Sequence, residues 1–412
     1  MPTGPRPPSA PLPVDRDART RTPVPEGKPR SVLAVVGDRS EAVSLAPVVR
    51  RLRGDARFCV RLLSLARQGD HVETALAAFG QAADLDLMRG GGPSVRRRSA
   101  ARARSALREE LARARPDWIL VQGASVATHR AARAADSAGV AIAHLGAGLR
   151  PGTDGTPRCE GERHRALSHL AALHLVHDEA AREVLLDEGV QPGVVQLVLA
   201  PGADAALELH QRVAELEARD FAPELGPLLV GLLRGWDGRL VLVTARRRAV
   251  LDELCSAVRS AAARHPDWLL VWPVHPATRV QTRVHQRLSN VANVVLCEPL
   301  GLATFIWLVA RSDAVLTDSI ALQEQGAALG RPVLVARARV ERADLAHSGL
   351  VRPVGARALG ILAGLERLLL DHALYAQLAR PARPAPQGAA EEVVNALWRA
   401  AQRGALGRGV PA

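Results

Sequence analysis

At 412 residues the chain is long enough for two to three domains, taking roughly 150 residues per domain. Hydrophobic residues at 48% and charged residues at 23% supply a sizeable core and exclude global disorder, and no apolar run approaches the ~20 residues of a membrane span. The net charge of +12 is nearly all arginine, since Lys28 is the only lysine; that is the codon habit of a GC-rich genome, and with 3% aromatics it gives no nucleic-acid footprint.

The first thirty residues hold nine prolines and no apolar stretch of signal-peptide type, so residues 1–30 read as a disordered Pro-rich tail and the chain as cytoplasmic. Short apolar runs then alternate with helix-length segments, the pattern of parallel α/β folds. Strands are expected at Ser31–Val36, Cys59–Leu65, Trp118–Val121, Val140–Leu145, Leu175–His177 and Val194–Val198. Helices are expected at about Ser40–Arg53, Ser99–Ala114, Ala127–Ala138 and Glu179–Glu188, with Gly139 and Gly189 at C-caps. A polar, helical bridge around Glu208–Arg219 and a Pro/Gly-containing stretch to Gly238 lead into a second series. Its strands are Leu240–Thr244, Leu269–Trp272, Val294–Cys297, Ala314–Thr317 and Val333–Ala336, with helices at about Leu251–His265, Ala303–Arg311, Leu322–Leu329 and Leu359–Leu370. A proline-rich break precedes a last helix at about Ala389–Arg403.

These elements predict two doubly wound Rossmann-like domains, 31–207 and 208–375, facing a central cleft, with a crossing segment at 376–412. Ligands in such folds bind at the carboxyl ends of the strands. The GGG at Gly90–Gly92 lacks a following GK[ST] and reads as a loop; the arginines from Arg96 to Arg108 read as solvated helix surface. Cys59, Cys159, Cys255 and Cys297 form no CxxC pair, so neither a metal site nor a disulfide framework is indicated. The strand ending at Gly37 opens a helix, a place for a diphosphate to which Arg39 adds charge. Ser319 sits at a second such turn, where its hydroxyl either holds a phosphate or caps the helix.

Six segments in register, from about residue 31 to 400, match motifs of one family. Gly37-Asp38-Arg39-Ser40-Glu41-Ala42 resembles G-T-R-P-E-A, and His144-Leu145-Gly146-Ala147-Gly148-Leu149-Arg150 resembles H-V-E-A-G-L-R. Trp272-Pro273-Val274-His275-Pro276 resembles Y-P-V-H-x-N/P, and Thr317-Asp318-Ser319 with Leu322-Gln323-Glu324 resembles T-D-S-G-G-I-Q-E-E. Gly330-Arg331-Pro332-Val333-Leu334 and Val340-Glu341-Arg342 resemble G-K-P-V-L and T-E-R-P-E. Together the six segments resemble the non-hydrolysing UDP-N-acetylglucosamine 2-epimerase family. The resemblance implies a GT-B fold, no cofactor, a UDP-sugar ligand, UDP-GlcNAc foremost, and a homodimer. It places Arg39, His275, Phe305, Ser319, Glu324, Gln325 and Arg342 near the nucleotide. Ile320-Ala321 stand where the family has Gly-Gly, which narrows the backbone approach to a phosphate, and Gln325 replaces the second acidic residue.

The reaction implied by the resemblance eliminates UDP across C1–C2 and adds it back with C2 inverted, which requires a base and an acid. At the matching places this chain has Ala124 for an aspartate, Gly146 for a glutamate and Arg246 for a histidine, leaving Glu160 as the one matching carboxylate. Arg67-Gln68-Gly69 replaces the activator-binding Q-H. Alanine and glycine transfer no proton, and a guanidinium cannot act as a base near neutral pH, although Arg246 suits a phosphate. Asp38, Asp154, Glu162 and His164 read as solvated or structural. The expectation is a UDP-sugar scaffold in which classical 2-epimerisation is replaced by other chemistry on a nucleotide sugar, hydrolysis or glycosyl transfer, or by the regulatory role of a pseudoenzyme.

Overall fold

The computed structural model describes residues 28–66, 71–87, 96–150, 158–245, 247–340, 342–379 and 388–403, without the side chains of 96–102, 158–160 and 248. The glycine run, the Arg67 segment, Asp154 and both proline-rich segments named above lie outside that range. The chain forms two parallel sheets. In the first, β1 (Arg30–Val36), β2 (Phe58–Ser64), β3 (Leu85–Asp86), β4 (Trp118–Gln122), β5 (Ala141–Leu145), β6 (Leu173–Val176) and β7 (Val195–Leu197) lie in the order β3-β2-β1-β4-β5-β6-β7. In the second, β8 (Arg239–Thr244), β9 (Trp268–Pro273), β10 (Val294–Cys297), β11 (Ala314–Thr317), β12 (Val333–Val335) and β13 (Val351–Pro353) lie in the order β10-β9-β8-β11-β12-β13.

The strands are near-continuous runs of Val, Leu, Ile and Ala because helices cover both faces of each sheet; Ala34, Val36, Leu62, Ile119, Leu120, Val241 and Val271 are fully buried. Both sheets reverse direction between their first and fourth strands, and that switch point opens a crevice at the carboxyl ends of β1 and β4, and of β8 and β11. The opposite ends are tied by a repeated device. Asp117 accepts from the Ser31 amide at 2.7 Å and Asp313 from the Leu240 amide at 2.7 Å, each also bonded to the arginine that begins β1 or β8.

At the cleft end of the first lobe, three strands run straight into capped helices. Asp38, Ser125 and Asp178 cap the helices Arg39–Arg53, Val126–Ser137 and Glu179–Asp187, accepting from Glu41, Thr128 and Ala181 amides respectively. Each cap satisfies a helix-terminal N–H and fixes where the strand-to-helix turn sits, at about 1 kcal/mol apiece. The helix Pro201–Val213 lies between the lobes: Ala205, Leu209 and Val213 share one core with Leu45 and Val49 of the first lobe and Ile306 and Trp307 of the second. The last helix, Ala389–Gln402, returns to the first lobe and packs on Arg39–Arg53, where Arg57 lies over the Trp398 ring.

The Pro/Gly-containing stretch before β8 is helical, Ala222–Gly235, broken at Gly226 (φ +72°) and restarted at Pro227. One expected strand is corrected. The expected strand Leu175–His177 runs Leu173–Val176 instead, which leaves His177 as the first residue beyond the strand. The helices Val72–Ala77, Thr278–Leu288, Ala343–His347 and His372–Leu378 and the short strands β3 and β13 add to the elements expected.

Candidate active site in the interlobe cleft

Arg39 begins the helix after β1 and reaches across to the second lobe. Its Nη1 donates to the Leu300 carbonyl at 3.0 Å and its guanidinium lies 5.5 Å from the Phe305 ring centroid. Nη2 is buried and no described residue accepts from it. Burial lowers the Arg39 pKa, with Glu224 opposing that shift. Two residues expected near the nucleotide, Arg39 and Phe305, are thus brought together, with a cationic donor left over.

A second group stands on the second-lobe side of the cleft, at Glu324 and Arg342. Arg342 is 5% exposed at its side chain, donates from Nη1 to Glu324 at 2.7 Å and is bidentate to Asp344. Burial works against its charge, but the two carboxylates outweigh burial and raise its pKa. Asp344 is lowered despite its own burial, chiefly by the bonds from Arg342. The Glu324 carboxylate lies over the first turn of Pro201–Val213, so close that a Cβ on Gly202 would stand 2.7 Å from Oε2. Glycine there lets the two lobes meet, and the helix N-terminus favours the anion.

Ser319 follows β11 as the N-terminal cap position of Ile320–Ala328, yet its hydroxyl makes no capping bond. Its amide donates to Thr317 Oγ1 at 3.0 Å, and Thr317 meets Thr244 Oγ1 at 2.8 Å at the switch point of the second sheet. Of the two roles that Ser319 could play by sequence, capping is therefore not the one adopted. His275 follows β9 and its Nδ1 accepts from the Ala277 amide at 3.2 Å. Gln325 is buried, and the neighbouring Glu324 is largely buried as well. Arg246 lies outside the described residues; Glu160 lies in the helix Arg158–Leu170, its side chain outside them.

On the first-lobe side the wall is mostly backbone. Gly123 (φ +64°) and Gly146 (φ +72°) terminate β4 and β5 in left-handed turns, and the Gly146 amide donates to Leu175 at 2.9 Å. Gly148 (φ +78°) packs so tightly on the next helix that a Cβ would fall 2.2 Å from the Ala181 carbonyl oxygen. Ala124 is buried, and its carbonyl accepts from Arg163 Nε at 2.8 Å. His177, which sequence reasoning passed over, stands against this wall. Its Nδ1 is 3.1 Å from the Val198 carbonyl, so Nδ1 carries the proton and Nε2 the lone pair. A Cβ on Gly146 would be 3.7 Å from that Nε2. Burial lowers the His177 pKa, with Glu324, Arg342 and Asp344 as the charges facing it. The signal in the sequence was a polar residue directly between a buried strand and a helix-capping Asp178.

Behind the wall, Glu41 is fully enclosed, accepting from the Gly37 amide at 2.6 Å and the Thr128 hydroxyl at 2.7 Å. Burial first and Asp38 second push its pKa up to about 8. His144, His164 and His174 are also buried, and His144 holds the Gly123 carbonyl at 2.8 Å. Among the described residues no group of His, Cys, Asp and Glu is arranged to hold a metal, and no helix is long and apolar enough to cross a membrane.

Residues 50–397 match the profile of the UDP-N-acetylglucosamine 2-epimerase family. The chain belongs to that family. It is 33% identical over 369 residues to the probable UDP-N-acetylglucosamine 2-epimerase of Ralstonia solanacearum, covering 88% of this chain and 96% of that one. It is 31% identical over 380 residues to the Escherichia coli K12 epimerase, covering 89% and 98%. The fold superposes on the Neisseria meningitidis epimerase bound to UDP-GlcNAc with a TM-score of 0.82 at 26% identity, covering 90% of this chain and 100% of that one. The S. aureus MnaA–UDP structure gives 0.79 at 24% identity, covering 90% and 97%. The two-lobed α/β architecture is that of these GT-B epimerases.

Proposed function

We propose that this protein binds a UDP-sugar of the UDP-GlcNAc class in the interlobe cleft, and that the family's usual acid/base set does not carry its chemistry. The observation behind the first half is Arg39 Nη2, a buried guanidinium nitrogen with no acceptor among the described residues, at the helix N-terminus that closes β1. A diphosphate oxygen supplies the missing acceptor and is favoured there by the helix dipole. The second half rests on Ala124 and Gly146, which place a methyl and a hydrogen where the family's carboxylates stand.

Arg342, held by Glu324 and Asp344, fixes the facing wall, so the ribose and phosphates are met by groups already oriented before binding. A cytoplasmic setting and a homodimer are part of the same proposal, the second checked by light scattering on the purified chain. The direct test is saturation-transfer NMR with UDP-GlcNAc, UDP-glucose and GDP-mannose. The reading expects transfer to the uridine and acetamido protons of UDP-GlcNAc and none to GDP-mannose; equal transfer to all three would overturn it.

A further inference from the structure

With alanine and glycine at the carboxylate places, a proton at the first-lobe wall of the cleft needs another group to move it. Asp38 and Asp178 each cap a helix through Oδ1, and Glu41 is enclosed behind the strand ends by Gly37 and Thr128. His177 differs from all three. Its Nδ1 is committed to the Val198 carbonyl, which fixes the ring's tautomer and plane, and no described residue hydrogen-bonds Nε2. The space that Nε2 faces is open because Gly146 has no side chain; a Cβ there would already be in van der Waals contact with it at 3.7 Å. Gly123 closes the same recess with backbone alone, its amide 3.9 Å from that Cβ position.

We propose that His177 is the proton-transfer group for chemistry at C2 of the bound sugar, working from the recess that Gly146 leaves empty. The inference rests on the nucleotide-sugar reading above. The Nε2 lone pair takes the proton from C2, the C2–H electron pair becomes the C1–C2 double bond, and the C1–O pair leaves with UDP. The reverse step returns the same proton, or one exchanged from solvent, as UDP adds back. One imidazole on one face supports exchange at C2 and release of the glycal; inversion at C2 needs a second acid on the opposite face.

The charges around the ring suit the role. Glu324 from the helix Ile320–Ala328 and, more weakly, Asp344 support the imidazolium once formed, and Arg342 opposes it. Burial is the largest influence and lowers the pKa, so the ring is a neutral base at pH 7. Gly148 makes the arrangement possible. Its left-handed turn, pressed on Ala181 at the start of the helix after His177, sets the β5 loop against the β6 loop.

The test is full-length protein with UDP-GlcNAc in deuterated water, followed by NMR for deuterium at C2 and for the 2-acetamido glycal with free UDP. The wild-type chain is expected to give one or both, with an acid limb in the rate below pH 6.5, the ordinary histidine value. His177→Gln, which can still donate to Val198, should lower the rate by about 10²–10⁴ while UDP affinity stays within about threefold. Added imidazole should restore part of the rate to His177→Ala. Protein that binds UDP-GlcNAc yet yields neither product, or a His177→Gln variant within about tenfold of wild type, overturns the assignment. Failure of the wild type to bind UDP-GlcNAc by calorimetry overturns the underlying nucleotide-sugar reading instead, and this inference with it.

Discussion

Replacing Glu41 by Gln should stabilise the protein, and increasingly so as the pH rises. Glu41 is 3% exposed and its pKa is pushed up to about 8 from an ordinary 4.5, by burial and then by Asp38. Between those two values the native state holds a proton that the unfolded chain has released, so the contribution of Glu41 to stability is full below pH 4.5 and is lost as the pH rises to 8. At about 1.4 kcal/mol per pH unit the loss approaches ~5 kcal/mol. The protonated acid fits the local bonds. One oxygen accepts from the Gly37 amide, the other donates to Thr128 Oγ1, and the Thr128 hydroxyl turns to the Gln122 carbonyl 3.0 Å away. The glutamine amide reproduces both bonds without a charge to desolvate. Urea unfolding of both proteins from pH 5 to pH 9 would give the difference directly. The expected result is near-equality at pH 5 and an advantage of several kcal/mol for the variant at pH 8.5. Parallel curves, or a variant that is weaker at every pH, would refute the reasoning.

Three further outcomes follow from the geometry. Arg39→Ala removes the one cation spanning the Leu300 carbonyl and the Phe305 ring, and UDP should bind about 10- to 100-fold more weakly by calorimetry, the value of a charge-assisted bond. Gly148→Ala forces a Cβ into the left-handed region 2.2 Å from the Ala181 carbonyl, and should cost about 2–4 kcal/mol in denaturant unfolding. His144, with its pKa lowered to about 3, and His164 and His174, lowered to about 4, are all buried neutral. The unfolded chain protonates them below pH 6.5 and the native state does not, so stability should fall from pH 6.5 toward 4 by up to about 1.4 kcal/mol per pH unit for each. His164→Gln should flatten that slope in the same titration.

The alternation of apolar runs and helices was legible in the sequence because both sheets are parallel and buried on both faces, so most strands announce themselves as near-continuous apolar runs. Short edge strands such as Leu85–Asp86 and Val351–Pro353 carry too few apolar residues to do so. The helix Ala222–Gly235 was not legible because a Gly-Pro pair such as Gly226-Pro227 marks a loop and a helix restart with the same two letters. At the site, Arg39, Phe305, Glu324 and Arg342 could be picked out singly from motifs, but the meeting of Arg39 with Phe305, and of Glu324 with Gly202, depends on how the lobes pack through Pro201–Val213. His177 was hidden by a one-residue error in a strand boundary. Its meaning depends on a neighbour distant in sequence, Gly146, whose missing side chain leaves its ring nitrogen uncovered.

Binding of a uridine diphosphate in the cleft is the property from which the proposed chemistry follows. Calorimetric titration of the wild-type protein with UDP and then with UDP-GlcNAc tests that directly. Micromolar, one-to-one binding of both, lost on raising the salt as expected for a guanidinium–phosphate contact, is the predicted result. Heats indistinguishable from dilution for both ligands would contradict the account, leaving a chain that keeps the family's fold without its ligand.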